Sequence, residues 1–208
     1  MVDAGCEYCF MVVSSYAVDQ NRIAGLDFDG AIFTNITHDH LDYHKTFDNY
    51  IKAKKKFFDD LKTEAFAIYN ADDKNGTIMV QNTKADKLSY SMRTMANFKN
   101  RILEGHFDGT LMSIDGKEVW THFVGKFNAY NLLAVYGAAV SMGFTPEEVL
   151  VEISKLYPVA GRFEIIRSID GIYAIVDYAH TPDALENVLS TINDMRTQNE
   201  QLICVVGA

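Results

Sequence analysis

Continuous apolar runs alternate with helical patterns along most of the chain. The runs at 9–13 (CFMVV), 30–36 (GAIFTNI) and 65–70 (AFAIYN) predict strands, and an amphipathic pattern over 46–62 predicts a long helix between the last two. Apolar strands separated by helices are typical of a parallel sheet that is covered on both faces. We therefore predict an α/β fold with a mostly parallel sheet flanked by helices.

The pattern changes between residues 87 and 124. Short segments there are separated by Asp-Gly pairs, which favour tight hairpin turns, so we predict a small antiparallel subregion. Two helices are predicted after it, over 127–143 and 145–156. The second begins with Thr145 as its N-cap and Pro146 at its first helical position.

The pattern resets near residue 157. A hairpin is predicted over 162–179, then a helix that begins after Thr181, and then an apolar strand in LICVVGA at 202–208. Such a strand normally leads into the loop and helix of a Rossmann-like unit. We therefore expect one domain over 1–157 and the beginning of a second, truncated domain over 158–208.

Composition and charge narrow the class of protein. The chain is 48% hydrophobic, enough for a sizeable core, and its formal net charge of −9 disfavours binding to nucleic acid or to an anionic membrane. No apolar run approaches the ~18 residues of a membrane span, and the N-terminus lacks a signal-peptide pattern. We expect a cytoplasmic protein with no nucleic-acid partner and no membrane insertion.

The cysteines are Cys6, Cys9 and Cys204. The C-x-x-C spacing of the first two fits a redox pair or half of a zinc site. However, no second pair follows, and the motif leads into a predicted strand instead of opening a helix. We therefore expect buried, reduced thiols.

Three of the six histidines fall within TNITHDHLDYH at 34–44, with aspartates between them. His38, His40 and His44 follow a predicted parallel strand, and the carboxyl ends of such strands form the usual ligand side of a sheet. Imidazoles and carboxylates there could bind a divalent metal or position a phosphate-bearing intermediate. The alternative is a polar loop whose histidines form only local hydrogen bonds.

Lys54 lies near the centre of the apolar stripe of the helix predicted over 46–62. Lys52, Lys55 and Lys56 lie away from that stripe, and we expect them to be solvated. Burial lowers the pKa of a lysine, and a neutral amine can react with carbon dioxide to give a carbamate. The alternative is that Lys54 extends its ammonium group to the edge of the sheet.

Two further segments contain residues suited to an anionic or purine ligand. GRFE at 161–164 contains Arg162, and DYAHTPDALEN at 177–187 places His180 and Asp183 around a helix start, where backbone N–H groups favour anions. Asn128 and Asn131 lie one helical turn apart, a spacing suited to reading a purine edge. Asp183 is equally well explained as a first-turn carboxylate, and either asparagine as a solvent-facing residue.

The order of these motifs is more specific than any one of them. The stretch from VSSYAVDQNR to YIKAK, followed by GKFNAYNLLA, GRFE and DYAHTPDALEN, resembles the Mur ligases of peptidoglycan synthesis over essentially the whole chain. The form DHLDYH is most similar to the subgroup that adds the third peptide residue to UDP-N-acetylmuramoyl-L-alanyl-D-glutamate. The resemblance implies a partial central ATPase-type domain and the start of a Rossmann-like C-terminal domain.

The resemblance also implies cofactors, substrates and a reaction. ATP would convert the carboxylate of the UDP-muramoyl dipeptide into an acyl-phosphate, which the amine of the added amino acid attacks. Mg²⁺ would offset the charge of the phosphates. His40 would ligate Mg²⁺, and Lys54 would be carbamylated so that its new carboxylate supports a second Mg²⁺. In the family the added residue is diaminopimelate or lysine, and this sequence does not distinguish them.

The other site residues implied by the resemblance bind the nucleotide and the dipeptide. Asn131, with Asn128 nearby, would contact the adenine, and Arg162 would contact the phosphates of ATP. His180 and Asp183 would reach the nucleotide from the second domain when it closes. The positions that match those binding the UDP-muramoyl dipeptide are Ser14, Gln20 and Arg22.

This sequence departs from the family pattern at two positions and lacks one motif. The family usually reads Met-Glu-Val-Ser-Ser-His where this chain reads MVVSSY, so Val12 replaces a magnesium-ligating glutamate and Tyr16 a histidine. Because valine cannot ligate a metal, we expect weaker Mg²⁺ binding. The chain also has no G-x-x-G-K-[ST] loop, and we expect it to have no ligase activity by itself.

Three alternatives stay open. Another Mur ligase or a folylpolyglutamate synthase would share the fold and the carbamylated-lysine scheme. A non-catalytic homologue that keeps a UDP-sugar site is favoured by Val12 and Tyr16. A metal-binding or redox protein built on Cys6 and Cys9 is the weakest of the three.

Overall fold

The computed structural model describes residues 2–37, 41–197 and 199–207, apart from the side chains of Val2 and Leu41. Its main feature is a six-stranded sheet in which spatial order follows chain order. The strands are β1 (Gly30–Phe33), β2 (Phe66–Asn70), β3 (Asp86–Ser91), β4 (Phe98–His106), β5 (Gly109–Ile114) and β6 (Lys117–Thr121). The first four are parallel neighbours, and the last two continue the sheet as an antiparallel meander. The predicted α/β fold is confirmed.

Helices and a second, two-stranded antiparallel sheet complete the fold. The second sheet pairs β7 (Glu164–Arg167) with β8 (Tyr173–Val176). The helices are α1 (Ser15–Asp19), α2 (Leu41–His44), α3 (Phe47–Asp59), α4 (Gly76–Met79), α5 (Lys126–Ser141), α6 (Pro146–Lys155) and α7 (Pro182–Met195), with a 3₁₀ turn at Val2–Ala4. None of the helices in the described ranges is long and apolar enough to cross a bilayer.

Local sequence signals account for several element boundaries. The Thr145 hydroxyl accepts a hydrogen bond from the Glu148 N–H, and the Glu148 carboxylate accepts one from the Thr145 N–H, which is a capping box. Asp115 and Gly116 both have positive φ angles, 47° and 82°, as the two central residues of a type I′ hairpin turn require. The predicted helix α6 and the β5–β6 hairpin are therefore confirmed.

The two faces of the sheet have separate cores. Ile68, Tyr90 and Leu133 are fully buried where α5 and α6 cover one face. Ala67 and Met79 are fully buried where α3 and α4 cover the other. Because β2 is covered on both faces, its side chains do not alternate between polar and apolar. This agrees with the prediction from the sequence pattern.

Two predicted strands are wrong. Residues 9–13 and 202–207 have no strand structure, and their side chains are exposed, with Phe10 at 78% and Val12 at 94%. A β-strand is stable only when its N–H and C=O groups pair with a neighbouring strand, and here neither segment has one. For the same reason Cys6, Cys9 and Cys204 are free and exposed, so the prediction of buried thiols is also wrong.

We predict that ionisation of Tyr136 lowers the free energy of unfolding at alkaline pH. Its ring lies on α5 against Phe98, with ring centroids 5.9 Å apart, and it is 2% exposed. Burial and then the Asp115 charge raise the pKa of Tyr136 from 10.0 to about 12. Between these two values the unfolded chain ionises at this residue and the folded chain does not. The free energy of unfolding should therefore fall as pH rises through this window.

Over this pH range, the free energy of unfolding of Tyr136→Phe should fall by up to about 2 kcal/mol less than that of the wild type. Urea unfolding followed by circular dichroism, at several pH values from neutral to pH 12, measures the slope for both proteins. Equal slopes in the wild type and the variant would show that Tyr136 does not titrate differently in the folded and unfolded states.

Candidate functional site

A cleft of about 880 Å³ lies at the carboxyl ends of the parallel strands. One wall is formed at the ends of three strands, by residues in 34–37 after β1, in 70–73 at the end of β2, and by Tyr90 and Arg93 at the end of β3. The first turns of α5 and the segments around Arg162 and 177–188 complete it. This is the side of a parallel sheet where ligands usually bind.

Hydrogen bonds hold the first two loops together. The Asn70 side-chain amide donates to the Thr34 carbonyl at 2.9 Å, and the Ile36 N–H donates to Asp73 Oδ2 at 3.2 Å. The other oxygen of Asp73 accepts from the Asn75 N–H at 2.7 Å. These bonds join the end of β1 to the end of β2, so this wall of the cleft is fixed by its own polar groups.

The N-terminus of α5 faces the cleft. Its N-cap is Gly125, whose φ of 92° is in the region that favours glycine, and a Cβ there would press on Thr191 of α7. Asn128 is buried and donates its amide to the Val124 carbonyl at 2.8 Å, whereas Asn131 is exposed. The backbone N–H groups of this helix end add positive potential to the cleft.

The opposite wall is held together by Asp177. Its two oxygens accept hydrogen bonds from the N–H groups of Phe163 and Ala179, each at 2.7 Å, so it joins the GRFE turn to the DYAH loop. The exposed Arg162 guanidinium lies over the ring of Tyr178, 4.9 Å from its centroid. The planar cation is therefore presented at the cleft by a fixed aromatic surface.

His180 and Asp183 lie at the start of α7. An imidazole nitrogen of His180, Nδ1, lies 3.1 Å from the Tyr178 carbonyl oxygen, to which it donates. The Asp183 carboxylate accepts from the Asn187 amide at 3.3 Å. Thr181 caps the helix, as predicted from the Thr-Pro pair.

The structure brings together every residue predicted to contact ATP. The residues concerned all line this cleft: Asn128, Asn131, Arg162, His180 and Asp183. They come from α5, the turn before β7 and the start of α7. Their individual roles stay predictions.

The residues predicted to bind the UDP-muramoyl dipeptide form a second group, beside α1. Ser14 is the N-cap of this helix, and its hydroxyl accepts from the Ala17 N–H at 3.2 Å. Gln20 follows the helix and donates to the Tyr43 hydroxyl at 3.3 Å, and Arg22 donates to Gln20 at 2.9 Å. None of the three is among the residues that line the cleft.

Lys54 is half-buried on α3. Its Nζ atom lies 5.4 Å from the centroid of the Tyr50 ring, which stacks on His44 at 5.3 Å. The prediction that Lys55 is solvated is wrong, since its side chain is only 12% exposed and forms an ion pair with Asp59. The low exposure of Lys55 is explained by packing of its methylene groups along α3.

The histidine cluster is only partly described. His44 is buried, and its Nε2 lies 2.8 Å from the hydroxyl of the buried Ser15, so it is part of the packing between α1 and α2. His40 lies outside the described residues, as does His38. Within the described ranges there is no group of three or more His, Cys, Asp or Glu side chains that could hold a metal ion.

Sequence reasoning missed Asp72 and Tyr130, which also line the cleft. The Tyr130 hydroxyl donates to Asp72 at 2.7 Å across more than fifty residues of sequence. One signal was available for Asp72: the run NADD directly follows a buried parallel strand, where ligand-facing polar groups are common. Nothing in the sequence pairs it with Tyr130.

The protein has an α/β fold, and its candidate ligand cleft lies between the carboxyl ends of the parallel strands and the segments around Arg162 and 177–188. Residues 1–139 match the Mur ligase middle domain, and residues 161–208 match the Mur ligase glutamate ligase domain. The chain therefore belongs to the Mur ligase family.

Two curated relatives and one solved structure share the same name. The chain is 65% identical over its full length to the UDP-N-acetylmuramoyl-L-alanyl-D-glutamate–2,6-diaminopimelate ligase of Parabacteroides distasonis, and 57% identical to that of Bacteroides fragilis. It spans 43% of the length of each. A solved structure of a ligase of the same name superposes with a TM-score of 0.75 at 31% identity, over 89% of this chain and 40% of that one.

Proposed function

We propose that the cleft is the nucleotide site of an ATP-dependent ligase that adds 2,6-diaminopimelate to UDP-N-acetylmuramoyl-L-alanyl-D-glutamate. The observation that carries the proposal is the convergence of Asn128, Asn131, Arg162, His180 and Asp183 on one cleft. The names of the relatives supply the substrates, and the activity is proposed for the protein expressed from the complete reading frame. The proposal includes a cytoplasmic location, which suits nucleotide-linked substrates.

The chemistry of the cleft lining suits ATP. Arg93, Lys126 and Arg162 supply cationic groups for phosphates, and the N-terminus of α5 adds its partial positive charge. Asn128 and Asn131 supply amides, which can donate to and accept from a purine edge. A cleft with both cations and amides is suited to a ligand that has both phosphates and a base.

The proposed reaction has two steps. The D-glutamate carboxylate of the dipeptide attacks the γ-phosphorus of ATP, and ADP leaves. The amine of diaminopimelate then attacks the carbonyl carbon of the acyl-phosphate, and inorganic phosphate leaves as the amide bond forms. The cations that line the cleft stabilise the negative charge that moves onto the phosphates in the first step.

The proposal includes Mg²⁺, with His40 and a carbamate on Lys54 as its protein ligands. The basis for both is the family resemblance of the sequence. Lys54 is half-buried on α3, with its Nζ atom 5.4 Å from the centroid of the Tyr50 ring, and this position is compatible with the role. Mg²⁺ would neutralise phosphate charge when it is bound.

The test is a ligase assay with the protein from the complete reading frame, ATP, Mg²⁺ and UDP-N-acetylmuramoyl-L-alanyl-D-glutamate. Diaminopimelate and L-lysine are supplied in separate reactions, and ADP release and product mass are measured. We expect product with diaminopimelate and much less with lysine. Product with lysine alone would overturn the choice of amino acid, and no amino-acid-dependent product would overturn the ligase assignment.

A non-catalytic homologue is the second candidate, because Val12 and Tyr16 stand where the family pattern has a magnesium-ligating glutamate and a histidine. The same assay distinguishes the two candidates. A protein that binds the UDP-linked dipeptide but turns over only after Val12→Glu would support the second.

A further inference from the structure

The carboxylate of Asp72 joins three elements at the cleft. Asp72 follows β2, and its Oδ1 accepts from the Ser91 hydroxyl at the end of β3, at 2.8 Å. Its Oδ2 accepts from the Met92 N–H at 2.8 Å and from the Tyr130 hydroxyl of α5 at 2.7 Å. Both oxygens are therefore used within the protein.

The charge states make the bond between Asp72 and Tyr130 strong. Burial alone would raise the pKa of Asp72, but the hydrogen bonds from Tyr130, Met92 and Ser91 and the charge of Arg93 together hold it below its ordinary value. Burial, and then the bond to Asp72, raise the pKa of Tyr130. At neutral pH an ionised carboxylate accepts from a neutral phenol, which is a charge-assisted hydrogen bond.

Tyr130 lies between Asn128 and Asn131 on the same turn of α5. Its bond to Asp72 therefore ties the turn that contains both amides to the ends of β2 and β3. The ring of Tyr130 also packs edge-on against Tyr90, with centroids 6.5 Å apart. These contacts add to the bond from the Asn100 amide to the Ala129 carbonyl, at 3.2 Å, and to the burial of Ala129 in the core.

The same network orients the loop after β3. The Ser91 hydroxyl oxygen accepts from the N–H groups of Arg93 and Thr94, at 2.9 and 2.8 Å, while it donates to Asp72. This arrangement fixes the turn from which Arg93 reaches the cleft.

We propose that Asp72 and Tyr130 form a positioning pair that holds the first turns of α5 in the orientation needed to bind the base of the nucleotide. The proposal rests on the proposed function, because it requires the cleft to bind ATP. Both are positioning residues, since each acts through its neighbours. Loss of their bond should weaken contacts to the base more than contacts to the phosphates.

The test uses Tyr130→Phe, which removes the hydroxyl and keeps the ring. Calorimetric titration of the protein from the complete reading frame, with ADP and separately with pyrophosphate, compares a ligand that has the base with one that lacks it. We expect the Kd for ADP to rise about 10-fold, because the variant loses a hydrogen bond to a charged group and ADP binding reports part of its energy. The Kd for pyrophosphate should change by less than about twofold, since that ligand has no base for the turn to position.

Two further variants sharpen the test. Tyr136→Phe is the matched control: it makes the same chemical change on the same helix, outside the cleft, and should leave the Kd for ADP within about twofold. Asp72→Asn should weaken ADP binding as Tyr130→Phe does. Because Asp72→Asn also disturbs the bonds from Ser91 and Met92, the double variant Asp72→Asn/Tyr130→Phe should lose little more than Asp72→Asn alone.

Each outcome decides something. Wild-type binding of ADP together with an unchanged Kd in Tyr130→Phe would overturn the positioning pair and leave the proposed function intact. Equal losses for ADP and pyrophosphate, or an equal loss in Tyr136→Phe, would also overturn it by showing general loosening of the fold. No ADP binding by the wild type would overturn the proposed function and the pair with it.

Discussion

Arg162→Ala is expected to raise the KM for ATP by about 100-fold, as loss of a charged hydrogen-bond donor to a phosphate would. The guanidinium lies over Tyr178 and lines the cleft, so its direction is set before a ligand arrives. Its side chain is exposed, and its removal should not disturb the core. Steady-state kinetics of ADP release at fixed concentrations of the other substrates measure the effect.

Arg167→Ala is the matched control. Arg167 is the last residue of β7, the strand that follows Arg162, and it also stacks on a tyrosine, 5.4 Å from the centroid of Tyr173, but it is not among the residues that line the cleft. Its KM for ATP should stay within about twofold of the wild-type value. A similar rise in both variants would indicate that the charge of the small sheet, and not a contact from Arg162, controls ATP affinity.

Gly76→Ala is expected to lower the free energy of unfolding by about 3 kcal/mol, because it forces a side chain into a filled site. Gly76 is buried at the start of α4, and a Cβ there would overlap the backbone carbonyl oxygen of Asn70. Backbone atoms cannot rotate away as a flexible side chain can. The loop 70–73 would have to move, and it forms one wall of the cleft.

Gly105→Ala provides the comparison for Gly76→Ala. A Cβ at Gly105 would meet no atom within 4 Å, and this residue is exposed on β4. Its stability should change by no more than about 0.5 kcal/mol. Urea unfolding measures both variants, and equal stability of the two would contradict the steric argument. Weaker ADP binding by Gly76→Ala under native conditions would link the loop to the cleft.

Local signals were reliable wherever one segment contains its own stabilising contacts. Thr145 and Glu148 cap α6 within a single turn, and Asp115 and Gly116 turn the β5–β6 hairpin within two residues. The apolar run of β2 predicted a strand with both faces covered, and the structure confirms it. The cap and the turn depend on residues close in the chain, and the apolar run of β2 is itself local, so the sequence shows all three directly.

The same apolar signal was misleading at residues 9–13 and 202–207. Both runs have the composition of strands, yet neither pairs with a neighbour in the described structure. Composition reports how well a segment would fit a sheet, whereas a strand forms only if another backbone is available to pair with it. Lys55 is a comparable case, because its burial depends on neighbours that helical periodicity alone does not reveal.

The residue pattern was enough to identify the α/β class, the order of most elements, the family and five residues of the cleft lining: Asn128, Asn131, Arg162, His180 and Asp183. The pairing of Asp72 with Tyr130 is evident only from the folded structure. The physical reason is distance along the chain. Helix caps and turns are governed by local backbone geometry, whereas the partner of a buried carboxylate is chosen when strands and helices that are far apart in sequence pack together.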